Sequence, residues 1–511
     1  MIKERLHNYP QSDRWSYLWL AIGTVLTVFT AGNWPLSLAA CLAPLFLIRF
    51  MRTQKLLRGY ILLAIGMGVA STIAFQGSAG PAIMPPALFG ALAGLQYGLL
   101  FLIDRVLVPR LPTQGLASFA GTLVFPLLFT AYEFLWFNKL SFGSSGSWAY
   151  SQQSNLILMQ MISITGLWGL TFITAWFAST VNWAWERNFS WPEIRRGAAV
   201  YISILLIVLA FGTIRLRFNE PQAGTVRVHT LTAGGTTAET LFSTLIPLAK
   251  TDREAYRRLA VSTYDDTIEA TIREARAGAQ IVVLSETAAI GIQEDLDALI
   301  TRFKQVARTE NIYAAFGMVV LDTDRIEPRL IIIDPSGEVV LNHLKYAYGQ
   351  GQPVSQVNLQ TVDTPYGRLS GVLCGDLDNP DVISQAGRKG VDILLVPATD
   401  GSAGPWHFRL AAFRAVENGF SLVRSAVQGV SLATDPNGRI LASMDYFKAN
   451  DRVMVAQVPT HGVVTLYSVI GDLFGWLMIA GFLVIAGWAI LRRRKTSVKL
   501  ESPPESQTPS T

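Results

Sequence analysis

Residues Val362–Asp376 read VDTPYGRLSGVLCGD, and the fold turns on how that stretch ends. The apolar run Leu369–Cys374 has the composition of a short buried strand. It closes on a cysteine, which is followed by Gly375, Asp376 and then a helical pattern over about Pro380–Lys389. A thiol where a strand hands over to a helix stands at the strand end where α/β folds gather functional groups. The chain has two cysteines. Cys41 lies inside an apolar run, where a lone thiol serves as a small hydrophobe. With its partner far away in a different part of the chain, a disulfide framework is excluded. Cys374 is the candidate nucleophile.

Working outward, strand-like runs cover Thr225–Leu231, Gln280–Ser285, Ala314–Leu321, Leu330–Asp334, Glu338–Leu344, Leu369–Cys374, Ile393–Pro397 and Phe420–Ser425. Helical patterns lie at about Glu239–Ala277, Asp295–Thr309, Pro380–Lys389 and Trp406–Asn418, and Pro335–Gly337 and Pro436–Gly438 mark turns. Strands alternating with helices, with some hairpins, predict an α/β sandwich. Two more reactive side chains close strands: Glu286 after IVVLS, and Lys345 after EVVLNHL. Singly, a Glu or Lys after a strand is an ordinary solvated loop residue. In the order Glu, Lys, Cys on three different strands they form a far more specific set.

The rest of the 511 residues is of another kind. The whole chain is 50% hydrophobic and 15% charged, with a mean hydropathy of +0.33, and the charge deficit is concentrated outside Thr225–Pro459. Apolar runs at Tyr17–Thr30, Pro35–Phe50, Leu57–Phe75, Ala82–Ile103, Gly115–Phe137, Leu156–Trp183, Ala198–Ile214 and Leu473–Leu491 predict about eight spans. Lys and Arg mark every second loop: Lys3, Arg5 and Arg14; Arg49, Arg52, Lys55 and Arg58; Arg105 and Arg110; Arg187, Arg195 and Arg196; and Arg492, Arg493, Arg494 and Lys495. By the positive-inside rule both ends lie in the cytoplasm and Thr225–Pro459 lies outside. No small-residue cleavage site follows the first run, so a cleaved signal peptide is not expected. The expected division is residues 1–220 for seven spans, 221–462 for the soluble domain and 463–495 for the last span. Residues 496–511 then form a disordered cytoplasmic tail rich in Pro, Ser and Thr.

Net charge of +5 follows from those topological clusters. No basic stripe with interleaved aromatics is present, so no nucleic-acid partner is expected. The five histidines, His7, His229, His343, His407 and His461, have no metal-ligand spacing; no metal and no cofactor are expected.

The Glu–Lys–Cys order resembles the nitrilase, or carbon–nitrogen hydrolase, superfamily, and VDTPYGRLSGVLCGD resembles that family's approach to its cysteine. In the membrane part, AYEFLWFNKLSFGSSGSWAYSQQSN, SITGLWG and LTFITAWFASTVN resemble the apolipoprotein N-acyltransferase family, as do PWHFRLAAFRAVENGFSLVRSAVQGVS and TLYSVIGDLFGWL later on. The resemblance implies a nitrilase-like αββα sandwich carried by a polytopic α-helical membrane domain. It implies a Glu286–Lys345–Cys374 triad that moves a fatty acyl group from phospholipid, through a Cys374 thioester, to the N-terminal amine of a diacylglyceryl lipoprotein. In that scheme Glu286 is the base, while Lys345 and the backbone N–H of Gly375 hold the oxyanion. It further implies a bacterial inner-membrane protein, a monomer, with its catalytic domain on the periplasmic side. Glu133, Trp148 and Tyr150 match family positions and are expected to line a lipid path; an ionisable residue within a span is a functional candidate by default. Gly375, Asp376 and Gln350 are expected to support the site. Gln350 and Gln352 stand where the family carries a carboxylate, and the interval from Lys345 to Cys374 is short. A membrane-anchored amidase or hydrolase is therefore the alternative, and a non-catalytic scaffold with a vestigial triad is a third reading.

Overall fold

A computed structural model describes residues 13–77, 85–139, 143–218, 224–232, 235–322, 325–346, 357–401 and 407–501. The helices of the first part are α1 (Ser16–Thr27), α2 (Ser37–Thr53), α3 (Leu56–Ala74), α4 (Pro86–Leu107), α5 (Val124–Lys139), α6 (Leu156–Met159), α7 (Ile162–Thr165), α8 (Trp168–Trp185) and α9 (Trp191–Phe218). Long apolar side chains such as Leu57, Ile65, Leu206, Ile207 and Val484 stand exposed on the helical part. An apolar surface of that extent is stable against lipid, not water.

Among the described residues five helices are long and apolar enough to cross a membrane, or six if a bent pair forms one span. The expected eight are thus met in part. The run expected at Tyr17–Thr30 is the 12-residue α1, about 18 Å long at 1.5 Å per residue. The run at Pro35–Phe50 is the 17-residue α2, with Pro44 inside it. The run expected as one span at Leu156–Trp183 is broken: Leu156–Thr165 meets Trp168–Trp185 at 120°. Gly166 makes the turn at φ +61, and a Cβ there would collide with the Tyr467 ring. The short arm α6–α7 is thereby freed to lie against the soluble domain.

That domain has two six-strand paths. One sheet runs β13 (Val453–Pro459), β1 (Thr225–Leu231), β2 (Ile281–Leu284), β4 (Tyr313–Asp322), β5 (Arg325–Ile333), β6 (Val339–Leu344), with β3 (Ala289–Gly291) pairing β4. The other runs β12 (Ile440–Asp445), β11 (Val430–Thr434), β10 (Ser421–Val427), β9 (Ile393–Thr399), β8 (Gly367–Gly371), β7 (Thr361–Thr364). The central strands are parallel, β1 to β2 to β4 and β8 to β9 to β10. Parallel strands are covered on both faces, which is why IVVL and SLVRSAV are buried throughout. Val228, Ile281, Val283 and Ile332 meet Leu369, Ile393, Leu395 and Val423 between the sheets. Helices α10 (Tyr264–Arg276) and α11 (Gln293–Glu310) cover the first sheet. Helices α12 (Pro380–Arg388) and α13 (Arg409–Asn418) cover the second. The helical stretch expected over Glu239–Ala277 is broken, in part at Asp252, whose side chain caps the next helix on the Ala255 N–H.

The outer layer α12–α13 is not a solvent face. Val382, Ile383, Leu410, Phe413 and Val416 share one buried apolar cluster with Tyr150, Met159, Ile162, Trp168 and Ile173 of the membrane part. A polar seam runs through that contact. Fully buried Arg414 pairs with Glu417 and bonds to Ser144 and Tyr150. Glu417 in turn accepts the Leu167 N–H at 2.8 Å. Gln160 donates to the Asn437 carbonyl at 3.0 Å, and the Trp168 indole to Asp472 at 2.9 Å. The last helix, α14 (Leu473–Glu501), returns through the bundle beside α5.

Breaking one partner of a buried ion pair costs about 3–5 kcal/mol, because the other charge is stranded. Arg414→Leu is therefore expected to lower the apparent Tm in detergent sharply, and Arg414→Leu with Glu417→Leu to lower it less than the single change. An unchanged Tm for the single variant would show that the seam carries no stability.

Candidate active site

Each expected reactive group follows a strand. Glu286 lies two residues past β2, Lys345 directly after β6, and Cys374 three residues past β8. Strands β2 and β6 belong to one sheet and β8 to the other, so the site sits where the two sheets face each other at one end.

The structure brings Glu286 and Lys345 together directly. Lys345 Nζ donates to Glu286 Oε1 at 2.6 Å, with side chains 12% and 7% exposed. Burial works against the ammonium, but Glu286 and Cys374 outweigh it, and Lys345 is held well above its ordinary pKa. Cys374 is joined to Glu286 through Thr399, the last residue of β9. The Thr399 N–H donates to Glu286 Oε2 at 3.1 Å, and its carbonyl accepts from Cys374 Sγ at 3.7 Å. Ala398 and Ala426 pack against the thiol. Cys374 is 5% exposed and takes φ +33, a left-handed backbone for a residue with a side chain. Strain of this kind persists where surroundings over-determine it. Here the surroundings are a 3-10 turn over Cys374–Asp378 and the α12 cap by Asn379, which accepts from the Asp381 and Val382 N–H groups. Gly375 is buried within that turn.

Asp376 is fully buried and acts as a tie. Its carboxylate accepts the Leu373 N–H at 3.1 Å and the Tyr346 N–H at 2.9 Å, and pairs with His343 Nε2 at 2.9 Å. It thus locks the cysteine turn to the segment carrying Lys345. Gln350 lies outside the described residues.

Glu133, Trp148 and Tyr150, expected along a lipid path, are all buried here. Glu133 is 0% exposed and accepts from Ser147 Oγ at 2.7 Å, the Trp148 N–H at 3.0 Å and Thr171 Oγ1 at 2.7 Å. It joins α5, the 147–148 turn and α8. Trp148 packs on Tyr97 and Phe129. Tyr150 packs on Phe413 and bonds to Arg414. Arg414 donates in turn to the Leu377 carbonyl at 3.0 Å, inside the cysteine turn.

A second group was missed. His407 Nε2 meets Asp378 at 2.7 Å; His407 Nδ1 meets Asp400 at 3.2 Å and Cys374 Sγ at 4.0 Å; and Arg424 closes on Asp400. Burial alone would lower the His407 pKa, yet the carboxylates of Asp378 and Asp400 hold it well above its ordinary value. The available signal was Arg424 inside SLVRSAV, a charge in a run otherwise fit for burial, which needs a partner. Among the described residues Cys374, Asp400 and His407 are the one set of donors close enough to hold a metal ion. The Arg424 guanidinium already lies against Asp400 and 3.3 Å from His407, so the site is supplied with a cation of its own.

Strand β4 passes so close to Glu286 that a Cβ on Gly317 would lie 2.3 Å from the Glu286 Cα and carbonyl oxygen. Backbone cannot yield at that distance. Gly317→Ala is expected to displace Glu286 and cut turnover by at least about 100-fold, as roughly 1 Å of misplacement does. Wild-type turnover in a folded Gly317→Ala protein would refute the placement.

The carbon–nitrogen hydrolase family model matches residues 258–466, and the model of the apolipoprotein N-acyltransferase N-terminal domain matches residues 20–180. The apolipoprotein N-acyltransferase of Geobacter metallireducens is 25% identical over 410 residues, covering 72% of this chain and 74% of that one. That of Rhodopseudomonas palustris is 26% identical over 384 residues, covering 68% and 69%. Among solved structures, an amidase from Nesterenkonia sp. is 19% identical with a TM-score of 0.37, covering 47% of this chain and 92% of its own. One model lies on the membrane helices and the other on the sandwich, and relatives match through most of both: the chain belongs to the apolipoprotein N-acyltransferase family of the carbon–nitrogen hydrolase superfamily.

Proposed function

We propose that this protein transfers a fatty acyl group from phospholipid to the N-terminal amine of a diacylglyceryl lipoprotein, with Cys374 as the carrier. The observation that carries the reading is the junction at Thr399. The backbone N–H and C=O of the single residue Thr399 tie Glu286 to Cys374 while Lys345 is ion-paired to the same glutamate. In the first half-reaction the Cys374 sulfur attacks the ester carbonyl carbon, and its proton passes to Glu286. Lys345 and the Gly375 N–H face the oxyanion that forms. Collapse breaks the ester C–O bond, Glu286 returns the proton to the leaving glyceryl oxygen, and a thioester remains. In the second half-reaction the lipoprotein amine attacks the thioester, Glu286 takes a proton from it, and the thiol is restored as the amide forms. The apolar floor shared by α12–α13 and the membrane helices keeps the site at the bilayer and away from bulk water, which would otherwise hydrolyse the thioester. Glu133, Trp148 and Tyr150 serve lipid entry by holding the turn beneath that floor.

The finer topology is part of the same proposal: eight passes, both ends cytoplasmic, residues 221–462 on the periplasmic face of a bacterial inner membrane, and a monomeric protein. Cysteine placed at exposed Asp451 in a chain lacking Cys41 and Cys374 is expected to react with an impermeant maleimide on intact spheroplasts. Cysteine placed at Lys55 is expected to react only after permeabilisation, and the reverse pattern would overturn the orientation.

Purified protein incubated with phospholipid is expected to gain one acyl mass that hydroxylamine removes and that Cys374→Ser does not acquire. A diacylated lipopeptide should then discharge it as an N-acyl product. Absence of any adduct would refute the transfer reading; release of free fatty acid with no N-acylation would establish a hydrolase instead.

A further inference from the structure

His407 sits in the interior of the sandwich end with an oxygen acceptor on each ring nitrogen. Nε2 faces Asp378 Oδ1 at 2.7 Å and Nδ1 faces Asp400 Oδ1 at 3.2 Å. Carboxylate oxygens only accept when ionised, so each ring nitrogen donates to its carboxylate. Arg424 Nη2 lies 3.3 Å from Nδ1 but bonds to the same Asp400 oxygen, and Asp378 and Asp400 favour the protonated ring. The Cys374 sulfur lies 4.0 Å from Nδ1. The four groups facing His407 come from three segments: Cys374 and Asp378 on the cysteine turn, Asp400 after β9, and Arg424 on β10. Their charges balance, two carboxylates against the imidazolium and the guanidinium. Neutralising His407 would leave the sulfur beside a net negative cluster. Arg424 also feels the charge of Cys374, and Lys345 and Glu286 approach the sulfur from the other sheet.

We infer that His407 is a positioning residue whose fixed positive charge favours the thiolate of Cys374, in addition to the Lys345 ammonium. The inference rests on Cys374 as the reacting group and is independent of the acyl acceptor. A nearby cation favours the charged form of a thiol. The arrangement divides the work: Lys345 belongs to Glu286 and the oxyanion, while His407 stands at the opposite wall and stays charged because Asp378 and Asp400 pin it. Asp378 and Cys374 share one 3-10 turn, so the same contact fixes where that turn lies.

The test is alkylation of Cys374 by iodoacetamide against pH, in full-length protein carrying Cys41→Ser, needing neither lipid nor acceptor. In His407→Gln the rate at pH 7 is expected to fall roughly tenfold and to recover as pH is raised, the change that one unit in thiol acidity produces. Asp378→Asn keeps the ring but removes one carboxylate, which leaves the cluster net positive, and is expected to move the profile the opposite way by a smaller amount, raising the rate at pH 7. If His407→Gln does not fold, the Asp378→Asn profile decides. A profile superimposed on that of the parent, or a loss of rate equal at every pH, would overturn the inference. Because no acyl group is involved, failure to form an acyl adduct would count against the proposed function and leave this result standing.

Discussion

A lysine ammonium 2.6 Å from a glutamate carboxylate, both largely removed from water, is the interaction on which the site depends. Neither charge is tolerable there alone. Each is delivered by a different strand of one sheet, and Thr399 from the other sheet completes the glutamate's hydrogen bonding. The hydrogen bonding of the pair is therefore complete only when the two sheets are closed face to face. Cys374 enters the same closure from β8, on a left-handed backbone that its 3-10 turn and the Asp376 tie enforce. The grouping of the three side chains is a consequence of how the sandwich shuts.

The second dependence is on the membrane part. In this chain the helices covering the second sheet are themselves covered by membrane helices, in one continuous apolar cluster. Arg414 and Glu417 cross it, reaching Ser144 and Tyr150 on one side, the Leu167 N–H on another and the Leu377 carbonyl of the cysteine turn on a third. Two contacts thus separate the membrane part from the cysteine turn. A thiol that takes acyl chains from lipid gains from standing over such a floor, since the donor never has to leave the bilayer to reach it.

Much of this was legible from residues alone. The central strands were readable because parallel strands covered on both faces are unbroken apolar runs, and the Glu286, Lys345 and Cys374 positions followed from where those runs end. The edge strands β12 and β13 were not, because ILASMD is half exposed and VMVAQVP buries only alternate residues, so neither is a run covered on both faces. The break at Gly166 was hidden because hydropathy counts apolar residues and is blind to direction. Glu133 was singled out for its charge, but its role as a three-way acceptor depends on Ser147 and Thr171 arriving from separate elements. The His407 group escaped for the same reason: its four partners are scattered from Cys374 to Arg424, with no spacing to mark them. Only the charges of Arg424 and Asp400 beside apolar strands hinted at it.

The central claim is that the buried Glu286–Lys345 pair sets Cys374 to accept an acyl group. The most direct measurement is the rate at which acyl mass accumulates on intact protein after mixing with phospholipid and no acceptor, compared between wild type and Glu286→Gln. Glutamine keeps the size and can still accept the Thr399 N–H, but it can neither hold the proton nor balance Lys345. The account predicts a rapid single acylation in the wild type and one slower by at least about 100-fold in Glu286→Gln, within the range a general base supplies. Acylation of folded Glu286→Gln at the wild-type rate would contradict it.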